Sequence, residues 1–246
     1  MKDAERVNLI LEHFRELQAK YPELNLNQNL FGEWVVRGPV RVAASFETTE
    51  ILIEGVNVEI ILPLLYPDMH PVAREETGLT EDFHTYPDGK LCLGSPLAVK
   101  ATFARHPSLV GFVEQLVIPY FFAYQYWKKH GEVPFGELSH GGEGLLEYYQ
   151  DLFDISAGDK VMGLLRILAD GDYRGHLPCP CGSNIILRRC HGDTLREVTI
   201  LQTADEFLMD YCSIARHLYE NGKFIPREFM SRRVVSKRSR NTSSHS

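Results

Sequence analysis

Cysteine is scarce in this chain and does not pair off. There are five among 246 residues, Cys92, Cys179, Cys181, Cys190 and Cys212, with three of them inside a dozen positions. An odd, clustered set is not a secreted disulfide scaffold; it points to metal binding and catalysis in a reducing cytosol. No apolar run approaches the roughly 18 to 20 residues needed to span a membrane. The first residues include acids, and no basic segment precedes an apolar run, so they do not read as a secretion signal and a cytoplasmic location is expected. Positive charge is not in excess either. The formal net charge is -7 with 24% charged residues, which gives no reason to expect general affinity for nucleic acid. No internal repeat is visible.

What is present is enough apolar material, 44% of residues, to bury a sizeable core in one large domain or two smaller ones. Val7, Ile10, Leu11, Phe14 and Leu17 recur at spacings of three and four, which predicts an amphipathic helix ended by Pro22. From Phe31 to Leu62 the period falls to two. Trp34 to Val36, Val40 to Ala44, Ile51 to Ile53 and Val56 to Leu62 predict three or four strands in a meander, with links too short for crossover helices. Pro71-Val72 opens one more short strand. Residues from about Glu75 to Ala104 have no sustained period and are expected to form a long ordered loop, a length usually kept for function. Helical patterning returns from Val110 to Trp127, from Leu145 to Phe153 and from Val161 to Leu168. Thr203 and Glu206 form a capping-box pattern ahead of a helix carrying Phe207, Tyr211, Ile214 and Leu218, in which Cys212 reads as core packing. Trp34 and Tyr66 read as core anchors.

The loop carries the first chemical signal, His84-Thr85-Tyr86-Pro87-Asp88-Gly89-Lys90-Leu91-Cys92-Leu93. Cysteine is well suited to hold an acyl group, because sulfur is strongly nucleophilic and the thioester stays open to amines. Leu91 and Leu93 are placed to anchor a shelf from which Cys92 points outward. Read locally, Cys92 is equally a small buried hydrophobe.

The order of elements resembles the ubiquitin-conjugating enzymes over about 150 residues. The resemblance rests on Gly38-Pro39 between early strands, Leu62-Pro63 and Tyr66-Pro67 after the meander, Pro71-Val72, His84, and Gly89-Lys90-Leu91-Cys92-Leu93. It is closest to bacterial members found beside antiviral signalling or ubiquitin-like conjugation systems. It implies an α+β fold of N-terminal helix, four-strand antiparallel meander and C-terminal helices. It also implies that Cys92 takes the acyl group of a ubiquitin-like modifier from an activating enzyme and passes it to an amine of a protein target. His84 matches a family histidine that chiefly holds the loop. The family's asparagine, associated with the oxyanion, has no match, and the Thr85 hydroxyl, the Tyr86 hydroxyl and backbone N–H groups are the available substitutes. Asp88 is placed either to orient an incoming amine or simply to make a turn. His140, in the polar stretch Pro134 to Gly142, is either a proton shuttle or a loop histidine, and Glu137 beside it reads as an exposed loop acid.

The second signal is Cys179-Pro180-Cys181-Gly182-Ser183 followed by Cys190-His191. Three thiolates and one imidazole complete a tetrahedral set for zinc and leave no open position for water. Arg188-Arg189 can offset the charge of three thiolates. The stretch resembles the SEC-C zinc motif, which implies a small docking module for protein partners. The expected organisation is therefore a ubiquitin-conjugating-like domain at 1–155, a helical region with the zinc module at 156–226, and a disordered, solvated basic tail at 227–246 that includes Arg227, Arg232, Arg233, Lys237, Arg238 and Arg240. A catalytically inactive adaptor that binds a ubiquitin-like protein is the competing reading. A cysteine hydrolase would need a close thiolate–imidazole pair, and no such relation is visible in the sequence.

Overall fold

Helix α1 (Asp3–Lys20) buries Ile10 and Leu17 from the predicted stripe. The computed structural model describes residues 3–46, 49–80, 83–134 and 141–235. The chain divides into two units, Met1–Glu137 and Leu138–Ser246. The boundary expected near Ser156 lies inside the second unit, because the helix ending at Phe153 packs with the helices that follow it.

The sheet of the first unit has four antiparallel strands in the order β1-β2-β3-β4: β1 (Asn25–Gln28), β2 (Trp34–Phe46), β3 (Thr49–Ile61) and β4 (Val72–Glu75). An antiparallel meander is present, but its strands differ from those expected. Gly38-Pro39 does not break β2 and Gly55 does not break β3, so four short runs merge into two strands of 13 residues. Asn25–Gln28, with no apolar alternation, forms the first strand by pairing with residues 34–37. Gly38 makes the continuity possible. At φ +137°, an added Cβ would sit 2.8 Å from the Glu23 carbonyl oxygen. Only glycine lets the strand pass that close to the preceding chain.

Period two then sorts the faces. Val36 faces Ile60 and Val40 faces Val56 across the ladder, and all four are buried. On the other face Glu59 bridges Arg37 and Arg74, the latter at 3.1 Å. Each fully buried aliphatic side chain contributes about 1.5–3 kcal/mol of transfer free energy. Tyr66 is completely buried as expected, with its hydroxyl 2.6 Å from His13 Nδ1, and Trp34 packs against the core edge.

The stretch expected to be irregular up to Ala104 contains helix α2 (Pro96–Arg105). Ser95 caps it by accepting from the Ala98 N–H at 3.3 Å, Pro96 begins it, and Leu97, Val99 and Phe103 are buried. The signal was the Ser-Pro step, an N-cap followed by a residue suited to the first helical position. The next helical region runs as α3 (Leu109–Phe112), a π-helical turn (Val113–Val117) and α4 (Ile118–His130). Pro119 has no N–H to donate backward, and the wider π turn immediately ahead of it fits that break in the ladder.

The second unit is helical: α5 (Gly142–Phe153), α6 (Gly158–Asp170), α7 (Gly192–Leu201) and α8 (Ala204–Glu220). The capping box is formed at Thr203 and Glu206. Helix α8 buries Phe207, Asp210, Tyr211, Ile214 and Leu218, whereas Cys212 is exposed. That corrects its assignment to the core, since one step beyond Tyr211 turns the side chain about 100° around the helix. The segment expected to be a solvated tail is held as far as Val235. Ser231 is buried and donates to Asp170 at 2.6 Å, Arg232 pairs with Asp172 at 2.7 Å, and Tyr211 donates to the Phe229 carbonyl at 3.0 Å. Lys237, Arg238 and Arg240 lie outside the described residues. Among the described residues, no helix is long and apolar enough to cross a membrane.

Gly38→Ala is expected to destabilise the first unit by about 1–3 kcal/mol, from backbone strain and the close approach to Glu23. Both tryptophans, Trp34 and Trp127, belong to that unit. The midpoint of the tryptophan fluorescence transition in urea should therefore fall, and an unchanged midpoint would refute the close-packing account.

Candidate active-site cysteine and candidate metal centre

The Cys92 loop is built on hydrogen bonds of its own backbone. Tyr86 and Lys90 close a tight turn, with the Tyr86 N–H donating to the Lys90 carbonyl at 2.8 Å and the Gly89 N–H returning to the Tyr86 carbonyl at 2.8 Å. Leu91 then donates to the Ala73 carbonyl on β4 at 2.9 Å, and Cys92 donates to the His84 carbonyl at 2.7 Å. His84 takes φ +38° to aim that carbonyl, a left-handed conformation uncommon outside glycine. Its neighbour Phe83 is buried against the rings of Tyr120, Tyr124 and Trp127 on α4, with centroids 5.4–5.6 Å away. The Thr85 hydroxyl lies 2.9 Å from the carbonyls of both Thr80 and Phe83, and Tyr120 donates to the same Phe83 carbonyl at 2.6 Å.

Cys92 is partly exposed between a buried Leu91 and a partly buried Leu93 packed on the core. Its Sγ lies 3.5 Å from the Tyr86 hydroxyl, within hydrogen-bonding reach for sulfur. Desolvation, then the contact with Cys92, then the charges of Cys92 and Asp88 push the Tyr86 phenol up to about 12. The thiol donates to the phenol oxygen here; because a raised phenol keeps its proton through neutral and moderately alkaline pH, Tyr86 retains an O–H to donate once the sulfur is deprotonated or acylated. Asp88 accepts from the Lys90 N–H at 3.2 Å and pairs with Lys90 Nζ at 2.7 Å. Hydrogen bonding to Lys90 holds the exposed Asp88 carboxyl below its ordinary value. Glu137 and His140 lie outside the described residues. A cleft of about 570 Å³ in the same unit, between Lys20, Arg41, Glu114 and Phe122, has no lining residue from this loop.

In the second unit, Cys179, Cys181, Cys190 and His191 come together with all ligand atoms within 4.8 Å of one another. A small hairpin supplies the first pair. Pro178 bridges Ile186, the Cys179 N–H donates to the Ile185 carbonyl at 2.8 Å, and Gly182 and Asn184 take positive φ in the turn. A 3₁₀ turn (Leu187–Arg189) then carries the chain back to Cys190 and His191. The loop is seated tightly on α6, where a Cβ added at Gly163 would meet Pro180 at 2.7 Å.

The hydrogen bonding of His191 suits a metal. Nε2 lies 2.8 Å from the Phe153 carbonyl, which can only accept, so Nε2 carries the proton. Nδ1 then presents its lone pair to the thiols, 3.2 Å from both Cys179 and Cys190. This is the outer hydrogen bond that fixes tautomer and ring orientation at metal-binding histidines. Burial pushes the Cys179 thiol up. Against partial burial, the Ser183 hydroxyl and N–H with the neighbouring thiols hold Cys181 down, at about 6. The residues fit a tetrahedral ion of zinc character: a closed Cys3His set in which such an ion would cross-link hairpin, turn and helix. Arg188 and Arg189 are exposed beside it.

Sequence reasoning found all four cluster residues but not the Phe153 carbonyl, which no side-chain pattern signals. It named Tyr86 only as one of several substitutes; the sequence does not reveal that the turn folds the phenol back onto the sulfur. Compared with known proteins, the chain matches no family model, no curated protein and no solved structure.

The protein is expected to purify, without a metal-binding affinity tag, with about one zinc per chain. Cys190→Ser should lose the metal and destabilise the second unit. Tryptophan fluorescence, which reports the first unit, should stay native. Elemental analysis giving no zinc in a folded, reduced sample would rule out the assignment.

Proposed function

We propose that the chain is a ubiquitin-conjugating-like acyl transferase with a structural zinc module. Cys92 accepts the C-terminal acyl group of a ubiquitin-like modifier from an activating enzyme and delivers it to an amine of a protein target. The observation that carries this reading is the Cys92 thiol itself. It is partly exposed, fixed by a backbone hydrogen bond on a loop tied to β4, and next to a protonated phenol. The order of helix, antiparallel meander and cysteine loop supports the family resemblance. Transfer between thioesters is nearly balanced in energy, so such a protein chiefly holds both partners in place and stabilises a tetrahedral oxyanion. The bacterial resemblance extends this proposal to ubiquitin-like conjugation within an antiviral defence system.

One observation favours the adaptor alternative. Asp88, the acid nearest in sequence to an incoming amine, is already bound to Lys90. The zinc ligands, lying in a separate unit, serve as a docking module under either reading.

The decisive measurement uses the cognate activating enzyme, its modifier and ATP. Wild type is expected to form a gel-shifted adduct that disappears with a thiol reductant. Cys92→Ala should form none, and Cys92→Ser should trap a reductant-resistant oxyester. Cys212→Ala should load like wild type, with no cavity penalty, because that side chain is exposed. Equal adduct formation by Cys92→Ala and wild type would eliminate the transferase reading and leave the adaptor.

A further inference from the structure

We infer that the Tyr86 hydroxyl is the oxyanion donor for acyl transfer at Cys92, an assignment that rests on the acyl-carrier reading of that cysteine. The geometry favours it over the other donors that lead up to the sulfur. Four backbone N–H groups leading to the cysteine are engaged. Gly89 donates to the Tyr86 carbonyl, Lys90 to Asp88, Leu91 to the Ala73 carbonyl and Cys92 to the His84 carbonyl. The Thr85 hydroxyl is held by the Thr80 and Phe83 carbonyls, with Tyr120 3.2 Å behind it. A hydroxyl donating to those carbonyls has no second proton to give. Tyr86 differs on each count. Its hydroxyl lies 3.5 Å from Cys92 Sγ, the residue is 48% exposed, and it keeps its proton well beyond neutral pH.

The reaction supplies an acceptor at that place. The Cys92 thiolate adds to the carbonyl carbon of the incoming thioester. A carbon–sulfur bond forms, and the carbonyl π pair moves onto oxygen. That oxygen is one carbon removed from Sγ, so a donor already in contact with the sulfur can turn onto it. Tyr86 donates a hydrogen bond to the oxyanion and retains its proton. Collapse restores the carbonyl and expels the donor thiolate, so one thiolate is consumed and one released. Discharge passes through the same oxyanion. The amine nitrogen bonds to carbon, Cys92 leaves as thiolate, and the ammonium proton goes to solvent. Removing one such donor costs on the order of 100-fold in rate.

Two reactions of the same sulfur separate this role from a structural one. Glycylglycine thioester of mercaptoethanesulfonate acylates Cys92 through an oxyanion, whereas iodoacetamide alkylates it by displacement with none. Any change in thiolate fraction or access alters both rates together, so their ratio isolates the oxyanion. Measured at Cys92 by peptide mass spectrometry on the full-length zinc-loaded protein, the acylation-to-alkylation ratio should fall on the order of 100-fold in Tyr86→Phe. It should be unchanged in Thr85→Val, where loop packing rather than a donor is lost. Tryptophan fluorescence confirms that each variant is folded. An unchanged ratio in folded Tyr86→Phe, or a fall in Thr85→Val instead, overturns the assignment. Failure of the acyl-carrier reading looks different: wild-type Cys92 then takes up the glycylglycyl group no faster than the exposed helix thiol of Cys212.

Discussion

The N–H of Cys92 donates to the carbonyl of His84 at 2.7 Å, and the presentation of the thiol depends on that bond. Between these two residues the chain must reverse, satisfy its polar backbone and leave one side chain outward. An unpaired N–H in a half-buried loop costs roughly 1–3 kcal/mol, so the turn forms only in a register that pairs it. That register places Thr85 opposite Leu91 and lets Leu91 bond to β4, which ties the loop to the sheet. The left-handed backbone at His84 is a local cost of the same arrangement, offset by the Phe83 ring packed among the aromatics of α4. Rigidity here is therefore inherited from the core, although the thiol itself stands at the surface.

The second unit solves a different problem with the same kind of bond. A hairpin of a few residues has too little apolar surface to fold alone. Four ligand atoms drawn together around an ion would supply the missing cross-links, but only if His191 presents the correct nitrogen. The Phe153 carbonyl at the end of α5 makes that choice, because it takes the Nε2 proton and frees Nδ1. Pro180 resting on Gly163 seats the loop on α6, and the chain end returns to the same helix through Ser231 on Asp170. These specific contacts join the hairpin and the terminal segment to a helical core in which Leu164, Leu165, Phe207 and Ile214 are buried.

Much of this was legible in the residues, and the failures have physical reasons. Alternation from Val56 to Leu62 and the three-four spacing from Val7 to Leu17 report burial directly, so the sheet face and first helix were recovered. The cysteine spacing at 179 to 191 was also sufficient, since three thiols and an imidazole so close in sequence have few ways to avoid one another. Gly38-Pro39 misled because glycine and proline usually interrupt strands. Here a glycine's positive φ allows close approach to Glu23 without ending the strand. Cys212 misled because the nearby Tyr211 and Ile214 say little about it when burial turns over within a single helical step. The order of Arg232 and Arg233 within a folded segment was hidden because their partners Asp172 and Asp205 lie far away in sequence. Tyr86 was hidden for the opposite reason: its distance from Cys92 depends on a turn type, and turn type depends on hydrogen bonds that composition does not specify.

The two cysteine systems are kept apart by the number of partners each sulfur has. At 179 to 191 the sulfurs lie against one another and against an imidazole, an arrangement suited to a closed ion. Nucleophilic attack needs the reverse: one sulfur with an open approach and a donor placed for the charge that develops on its substrate. Cys92 has the open approach and the neighbouring phenol. Cys212 is exposed on a helix, and among the described residues no donor is paired with it. Exposure makes a thiol modifiable, but acyl transfer also requires the oxyanion to be met as it forms. By that criterion Cys92 fits the acyl carriage proposed for it, the three clustered thiols with His191 fit a metal, and Cys212 fits neither.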